Sequence, residues 1–233
     1  MDKKIKKYLV ISGIAIIAAG LLGLGYYYYQ TINYLSTQNA SVSADMITLT
    51  PEITGKLLEW NVAPGDEVKA GQILGRQDVS ALVSTTALNP ASLANSADTL
   101  VAKADIKSPI DGKVILSNVV RGQVLSPGME IATVADSTHP YIKANIEETD
   151  ILHIQTGQVV DITLDAYPRH KFTGYVDSVG LATNSALSTT LSLNTSGTYS
   201  KITQLIPVKI VITNAADMVL MPGMNATVRI HIN

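Results

Sequence analysis

The chain has 233 residues, a formal net charge of −2, one Phe, one Trp and no Cys. Near-neutral charge excludes the basic footprint of a protein that grips nucleic acid through phosphates, and the missing thiols exclude disulfides, zinc–thiolate sites and lipid attachment through cysteine. The length accommodates one membrane anchor and two small domains, and the wealth of Val, Ile and Thr, which suit pleated half-buried surfaces, predicts a mainly β body.

Residues 1–7 form a basic head containing Lys3, Lys4, Lys6 and Lys7, and no charged residue follows from Tyr8 to Ala44. The apolar stretch 8–29 would be about 33 Å long as a helix, enough to cross a bilayer core. The lysines place the N-terminus in the cytoplasm, and Tyr26, Tyr27, Tyr28 and Tyr29 suit the far headgroup interface. The expectation is a single transmembrane helix over 8–29, a linker over 30–44 and an extracytoplasmic body. The competing reading is a cleavable signal peptide with Val42-Ser43-Ala44 as its cleavage site; the length of the apolar run and its distance from that site favour the anchor. Ala15, Ala19 and Gly23 recur every four residues, which suits close approach of a partner helix and equally suits a plain Ala/Gly-rich anchor.

An internal repeat follows. The segment TPEITGKLLEWNVAPGDEVKAGQILGRQD (50–78) matches SPIDGKVILSNVVRGQVLSPGMEIATVAD (108–136), with Gly55, Gly65 and Gly71 recurring 57 residues later as Gly112, Gly122 and Gly128. Each copy reads as short strands broken at these glycines: Pro51 or Pro109 opens a strand, Gly55 or Gly112 permits a turn, and the remaining pairs supply tight reversals. One copy alone would expose an apolar face; two copies can cover each other. Between them, 80–103 is rich in Ala, Ser, Thr and Leu and is interrupted by Pro90, which breaks any continuous helix.

Beyond Asp136 the pattern changes to period-two alternation, the mark of an antiparallel sheet with one buried face. Ile142, Ala144 and Ile146 face one way, as do Val160, Ile162, Leu164 and Ala166, then Val208, Ile210 and Ile212, and finally Ala226, Val228, Ile230 and Ile232. Thr156-Gly157, Pro168-Arg169 and Pro222-Gly223 are turn signals, and 147–154 reads as a short helix. A small antiparallel barrel over 137–233 closes such a sheet without exposed edges.

Motifs for chemistry are missing. His139, His153, His170 and His231 have no metal-ligand spacing, and no nucleophile elbow, P-loop, HExxH or dinucleotide fingerprint occurs. A membrane-tethered serine–lysine peptidase would need a serine beside a buried lysine. Lys107, Lys113, Lys143, Lys171, Lys201 and Lys209 mostly occupy strand or turn positions that read as solvent-facing. No catalytic, cofactor-binding or metal-ligating residue is assigned, and the chain is not expected to be an enzyme.

The repeated unit resembles the two halves of a lipoyl/biotinyl-type barrel-sandwich hybrid, here 45–79 and 104–136. In carrier domains the halves meet at a hairpin bearing a modifiable lysine. That motif is absent from 80–103, where Lys103 is a poor substitute, so no lipoyl or biotin attachment is expected. A split hybrid behind an anchor and before a barrel resembles the HlyD-like membrane fusion (periplasmic adaptor) family. NTSGTYSKITQLIPVKI (194–210) is similar to the barrel signature of its EmrA-type branch through Gly197, Lys201, Gln204, Pro207, Val208 and Lys209, and 144–168 and 221–230 add further similarity. The resemblance implies a homo-oligomeric adaptor in the inner membrane, partnered with a major-facilitator or ABC transporter in drug or small-molecule export. A stand-alone envelope binding or scaffold protein is the alternative. Members that reach an outer-membrane channel use a long α-hairpin with an Arg, Leu and Ser tip. The insertion here is short and has no Arg, so the resemblance does not extend to that contact. The glycine-turn edges and the polar loop 187–200 are the candidate contact surfaces.

Overall fold

The computed structural model describes residues 16–18, 20–25, 27–30, 32–78, 80, 102–187, 203–215 and 218–232. Fourteen strands are found among them, in two compact units. One is built around residues 43–140; the other joins the N-terminal segment to residues 141–219 and 223–233.

The first unit contains β2 (Met46–Leu49), β3 (Gly55–Trp60), β4 (Glu67–Val68), β5 (Ile73–Asp78), β6 (Asp105–Lys107), β7 (Gly112–Ser117), β8 (Val124–Leu125) and β9 (Ala132–Ala135). They form two four-stranded sheets, ordered β2-β9-β7-β4 and β6-β5-β3-β8. The repeat explains this order. Strands β3 and β7 are equivalent, as are β4 and β8, and each half lends two strands to the other: β2 and β4 flank the β9-β7 pair, and β6 and β8 flank the β5-β3 pair. The linking hydrogen bonds are reciprocal: the Gly65 amide donates to the Val114 carbonyl and the Gly122 amide to the Leu57 carbonyl, both at 2.8 Å. Leu49/Ile106, Leu57/Val114, Val68/Leu125 and Leu74/Ile131 are repeat-related pairs within one buried core, each side chain contributing about 1.5–3 kcal/mol by leaving water. Trp60 Nε1 donates to Ser117 Oγ at 2.9 Å; these positions are also repeat-equivalent, so the bond joins the halves at their shared strand end.

Two local expectations change and one holds. Gly55 and Gly112 do not sit in turns; each begins a strand, and an added Cβ would lie 2.6 Å from the Asp78 carbonyl oxygen or 2.1 Å from that of Ala135. Close strand approach, not turn conformation, requires glycine there. Pro51 and Pro109 lie outside strands, in the chain leading to β3 and β7. Gly65, Gly71, Gly122 and Gly128 do take positive φ, from 79° to 100°.

The second unit is a closed six-stranded barrel ordered β1-β10-β13-β12-β11-β14. Its members are β1 (Tyr34–Ser43), β10 (Tyr141–Glu147), β11 (Val159–Leu164), β12 (Lys171–Val179), β13 (Leu205–Ile212) and β14 (Asn225–His231). Ile142, Ala144, Ile146, Val160, Ile162, Leu164, Phe172, Val176, Val208, Ile210, Ala226, Val228 and Ile230 fill the interior, as period-two alternation requires. Gly174 of β12 brings that strand close to β13, since a Cβ would meet the Val211 carbonyl oxygen at 2.2 Å.

Where a linker is expected over 30–44, residues 34–43 are instead the strand that closes the barrel. β1 pairs with β14 from Tyr34↔His231 to Ser41↔Asn225, with a bulge between Thr37 and Ala40. The bulge and the sequence YLSTQNASVS interrupt the alternation that marks the other strands, and only Ala40 and Val42 are buried in it. The helix expected over 147–154 reduces to one 3₁₀ turn, Ile151–His153. Residues 16–33, where described, are helical with exposed apolar side chains, and no helix of the described residues is long and apolar enough to cross a membrane. Residues 8–15, 19 and 26 of the expected span, and 81–101 of the insertion, lie outside the described residues.

Candidate functional site

The glycine-turn edges of the hybrid are equivalent in backbone and different in chemistry. In the first half the Ala63 amide donates to Asp66 Oδ2 at 2.8 Å, and in the second the Val120 amide donates to Gln123 Oε1 at 3.1 Å. One geometry is thus closed by a carboxylate in one copy and by a carboxamide in the other. The first edge exposes Ala63, Asp66 and Glu67; the second exposes Val120, Arg121 and Val124 at the corresponding positions or beside them. An acidic edge and an apolar, basic edge result from one duplicated frame.

Beside the first edge lies an open depression of about 670 Å³ lined by Glu67, Lys69, Gln72, Asp111 and Thr138, among others. Its walls are largely committed to turn-making: Gln72 Oε1 accepts from the Lys69 amide and Asp111 Oδ1 from the Ala70 amide. Asp136, just after β9, is burdened by burial, which pushes its carboxyl up. Hydrogen bonds from Thr138 Oγ1, His139 Nδ1 and the Thr138 amide, with the nearby His139 charge, outweigh burial and hold it at about 2. Asp78 ends β5 in the same way, lowered chiefly by the Ser80 hydroxyl and amide. Both halves therefore finish on an Asp-x-Ser/Thr turn.

In the barrel, the register places the start of β1, the end of β10, the start of β11, the ends of β12 and β14 and the start of β13 at one end. Polar side chains tie its connections together. Asn145 of β10 donates to Asn39 Oδ1 at 2.9 Å and accepts from Asn184 Nδ2 at 2.8 Å, while Ser185 Oγ donates to Gln204 Oε1. Asn184 and Ser185 belong to the single helical turn α1 (Asn184–Leu187). Of the expected contact loop 187–200, Leu187 is thus helical and 188–200 lie outside the described residues. Arg229 stacks its guanidinium 3.8 Å from the Tyr34 ring centre, fixing the first residue of β1 by a cation–π contact.

Three of the histidines have different partners. His139 bonds Asp136, His231 bonds Asp161 at 3.0 Å, and His170 packs edge-on to Phe172. No group of three metal-ligating side chains occurs among the described residues. Ser108, buried, donates its hydroxyl to the Ile110 carbonyl. Gln77 is the other buried polar residue of the described chain; its Nε2 donates to the Ile53 carbonyl, and its Oε1 has no partner among the described residues.

Family comparison agrees with the two-unit division. Residues 45–137 match the model described as "RND MFP, barrel-sandwich hybrid domain", and 141–230 match the "YknX-like beta-barrel domain". The chain is 39% identical over 205 residues to YhbJ of Bacillus subtilis, named as an efflux system component, covering 86% of this chain and 81% of that protein. It is 32% identical over 134 residues to the multidrug export protein EmrA of Haemophilus influenzae, covering 56% of this chain but 34% of that one. Among solved structures, the periplasmic adaptor protein EmrA superposes with a TM-score of 0.54 at 17% identity, covering 87% of this chain and 99% of that one, a likeness of fold alone. With the split hybrid, the closing barrel and the YhbJ match together, the chain belongs to the membrane fusion (periplasmic adaptor) protein family of efflux systems.

Proposed function

We propose that this adaptor is held in the cell (inner) membrane by one helix over 8–29, with residues 1–7 in the cytoplasm and the β body outside it. It binds an inner-membrane transporter of major-facilitator or ABC type there and takes part in export of drugs or other small molecules. The observation that carries this reading is β1. The apolar segment runs into a barrel strand with no spacer, and the Ile232 amide donates to the Asn33 carbonyl at 2.9 Å. Cleavage after Ala44 would strip β1 from the closed barrel, which argues against a removable leader and for a retained anchor. In-membrane crosslinking followed by identification of the co-purified protein tests the partnership. A transporter in the crosslinked product is expected; its absence, with the adaptor intact, favours the stand-alone scaffold.

Self-assembly is supported by the unlike edges of the hybrid. A ring needs a head-to-tail contact between two different surfaces, and the Asp66/Glu67 edge and the Val120/Arg121/Val124 edge supply opposite charge and an apolar centre. The insertion 80–103 carries no Arg, so contact with an outer-membrane channel forms no part of the proposed role. No lipoyl or biotin group is proposed.

A further inference from the structure

The barrel end at which the chain enters β1 carries two side chains that nothing in the fold explains. Leu152, in the 3₁₀ turn between β10 and β11, is 86% exposed, and Leu181, just after β12, is 106% exposed. These are the two highest values among the exposed large hydrophobics of the described residues; even the apolar helical residues 16–32 do not exceed 76%. A leucine in a turn can fold inward or be replaced by a polar residue at no cost to the turn. Two leucines projecting fully from neighbouring connections mark a surface that meets something apolar.

Position indicates what that is. Tyr34 opens β1 at this same end, and the residues directly before it include Tyr27, Tyr28, Tyr29 and Ile32, all exposed. Asn33 Nδ2 donates to the Tyr29 carbonyl at 2.8 Å, so the helical segment passes into the barrel without free chain between them. Exposed apolar surface therefore continues from the N-terminal segment to the barrel end. Val159 and Tyr175, paired across β11 and β12 and facing outward, extend it along the wall. The acidic residues Glu148 and Asp150 lie in the connection that carries Leu152, and Glu147 ends β10 just before it, so attraction to anionic headgroups does not drive the contact.

We propose that this end of the barrel is a lipid-contacting rim, with Leu152 and Leu181 dipping into the outer headgroup–acyl boundary beside the anchor. The inference rests on the anchor reading above and adds a second, peripheral attachment to it. Side chains in such a position lie about 5–10 Å into the boundary, and two of them restrain the tilt of the barrel, which one helix cannot.

The chain has no cysteine, so single variants of the full-length protein can carry one environment-sensitive fluorophore each. Leu152→Cys, Leu181→Cys, Tyr28→Cys and Arg169→Cys, the last in the turn at the opposite barrel end, are compared in phosphatidylcholine vesicles with and without nitroxide-bearing lipid. The labels at 152 and 181 are expected to shift to the blue and to be quenched several-fold more than the label at 169, approaching the label at 28. Quenching at 28 with 152 and 181 no different from 169 overturns the rim and leaves the anchor standing. Absence of quenching at all four sites overturns both. A blue shift at 152 and 181 without nitroxide quenching identifies a second copy of the chain as the occupant and overturns the lipid assignment.

Discussion

Glycine serves two different purposes in the duplicated unit, and substitution should separate them. At Gly65 the backbone has φ of 100° and open space around it, so Gly65→Ala should cost about 1–2 kcal/mol in backbone strain. At Gly112 the Ala135 carbonyl oxygen occupies the place of a Cβ. Gly112→Ala must part β7 from β9 and should cost roughly 3 kcal/mol or more. Urea unfolding of both variants checks the order, and a Gly65 variant less stable than the Gly112 variant would contradict it. Asp136 provides a pH signature. Its folded carboxyl sits at about 2, below the ordinary unfolded value of about 3.9. Its stabilising contribution is therefore complete above pH 4 and lost as pH falls through 2. His139 is highly exposed, so we expect only about 1 kcal/mol from the turn. Asp136→Asn should flatten the fall in stability between pH 4 and 2, measured by denaturation at each pH.

At the scale of elements, the two hybrid edges should differ in their effect on assembly. Val120→Asp with Val124→Asp places carboxylates opposite Asp66 and Glu67 in a head-to-tail contact, and should shift the detergent-solubilised protein toward monomer in light scattering while leaving its circular dichroism unchanged. Retention of the oligomer would remove the edges from the interface. These elements were legible to different degrees in the sequence. The barrel strands β10, β11, β13 and β14 could be read because one buried face imposes alternation on every residue. β1 could not, because a bulge shifts its phase and polar Ser, Thr, Gln and Asn occupy most of it. β12 lacks a clear signal because Gly174 stands at one of its inward positions, and the helix expected over 147–154 shortens to the 3₁₀ turn Ile151–His153 in the connection after β10. The repeat disclosed the two halves, but not that they exchange strands, since that depends on hydrogen bonds between residues far apart in the chain. Leu152 and Leu181 have no signature at all: an exposed leucine and a buried one look alike in sequence.

For the whole molecule, the strand exchange makes neither half of the hybrid complete alone, and the barrel likewise draws β1 from before the hybrid and the other strands from after it. Two polypeptides divided at residue 90, in the insertion, should each fail to fold when expressed singly. Expressed together they should copurify with the β content of the intact protein; a folded single fragment would contradict the dependence. The same interleaving makes the insertion permissive. It joins two halves that already share both sheets, so lengthening it costs only loop-closure entropy, about 0.6 kcal/mol for each doubling. A segment of two dozen residues or one several times longer can occupy that place without disturbing the frame, so the reach of an adaptor built on this plan can change while its folding does not.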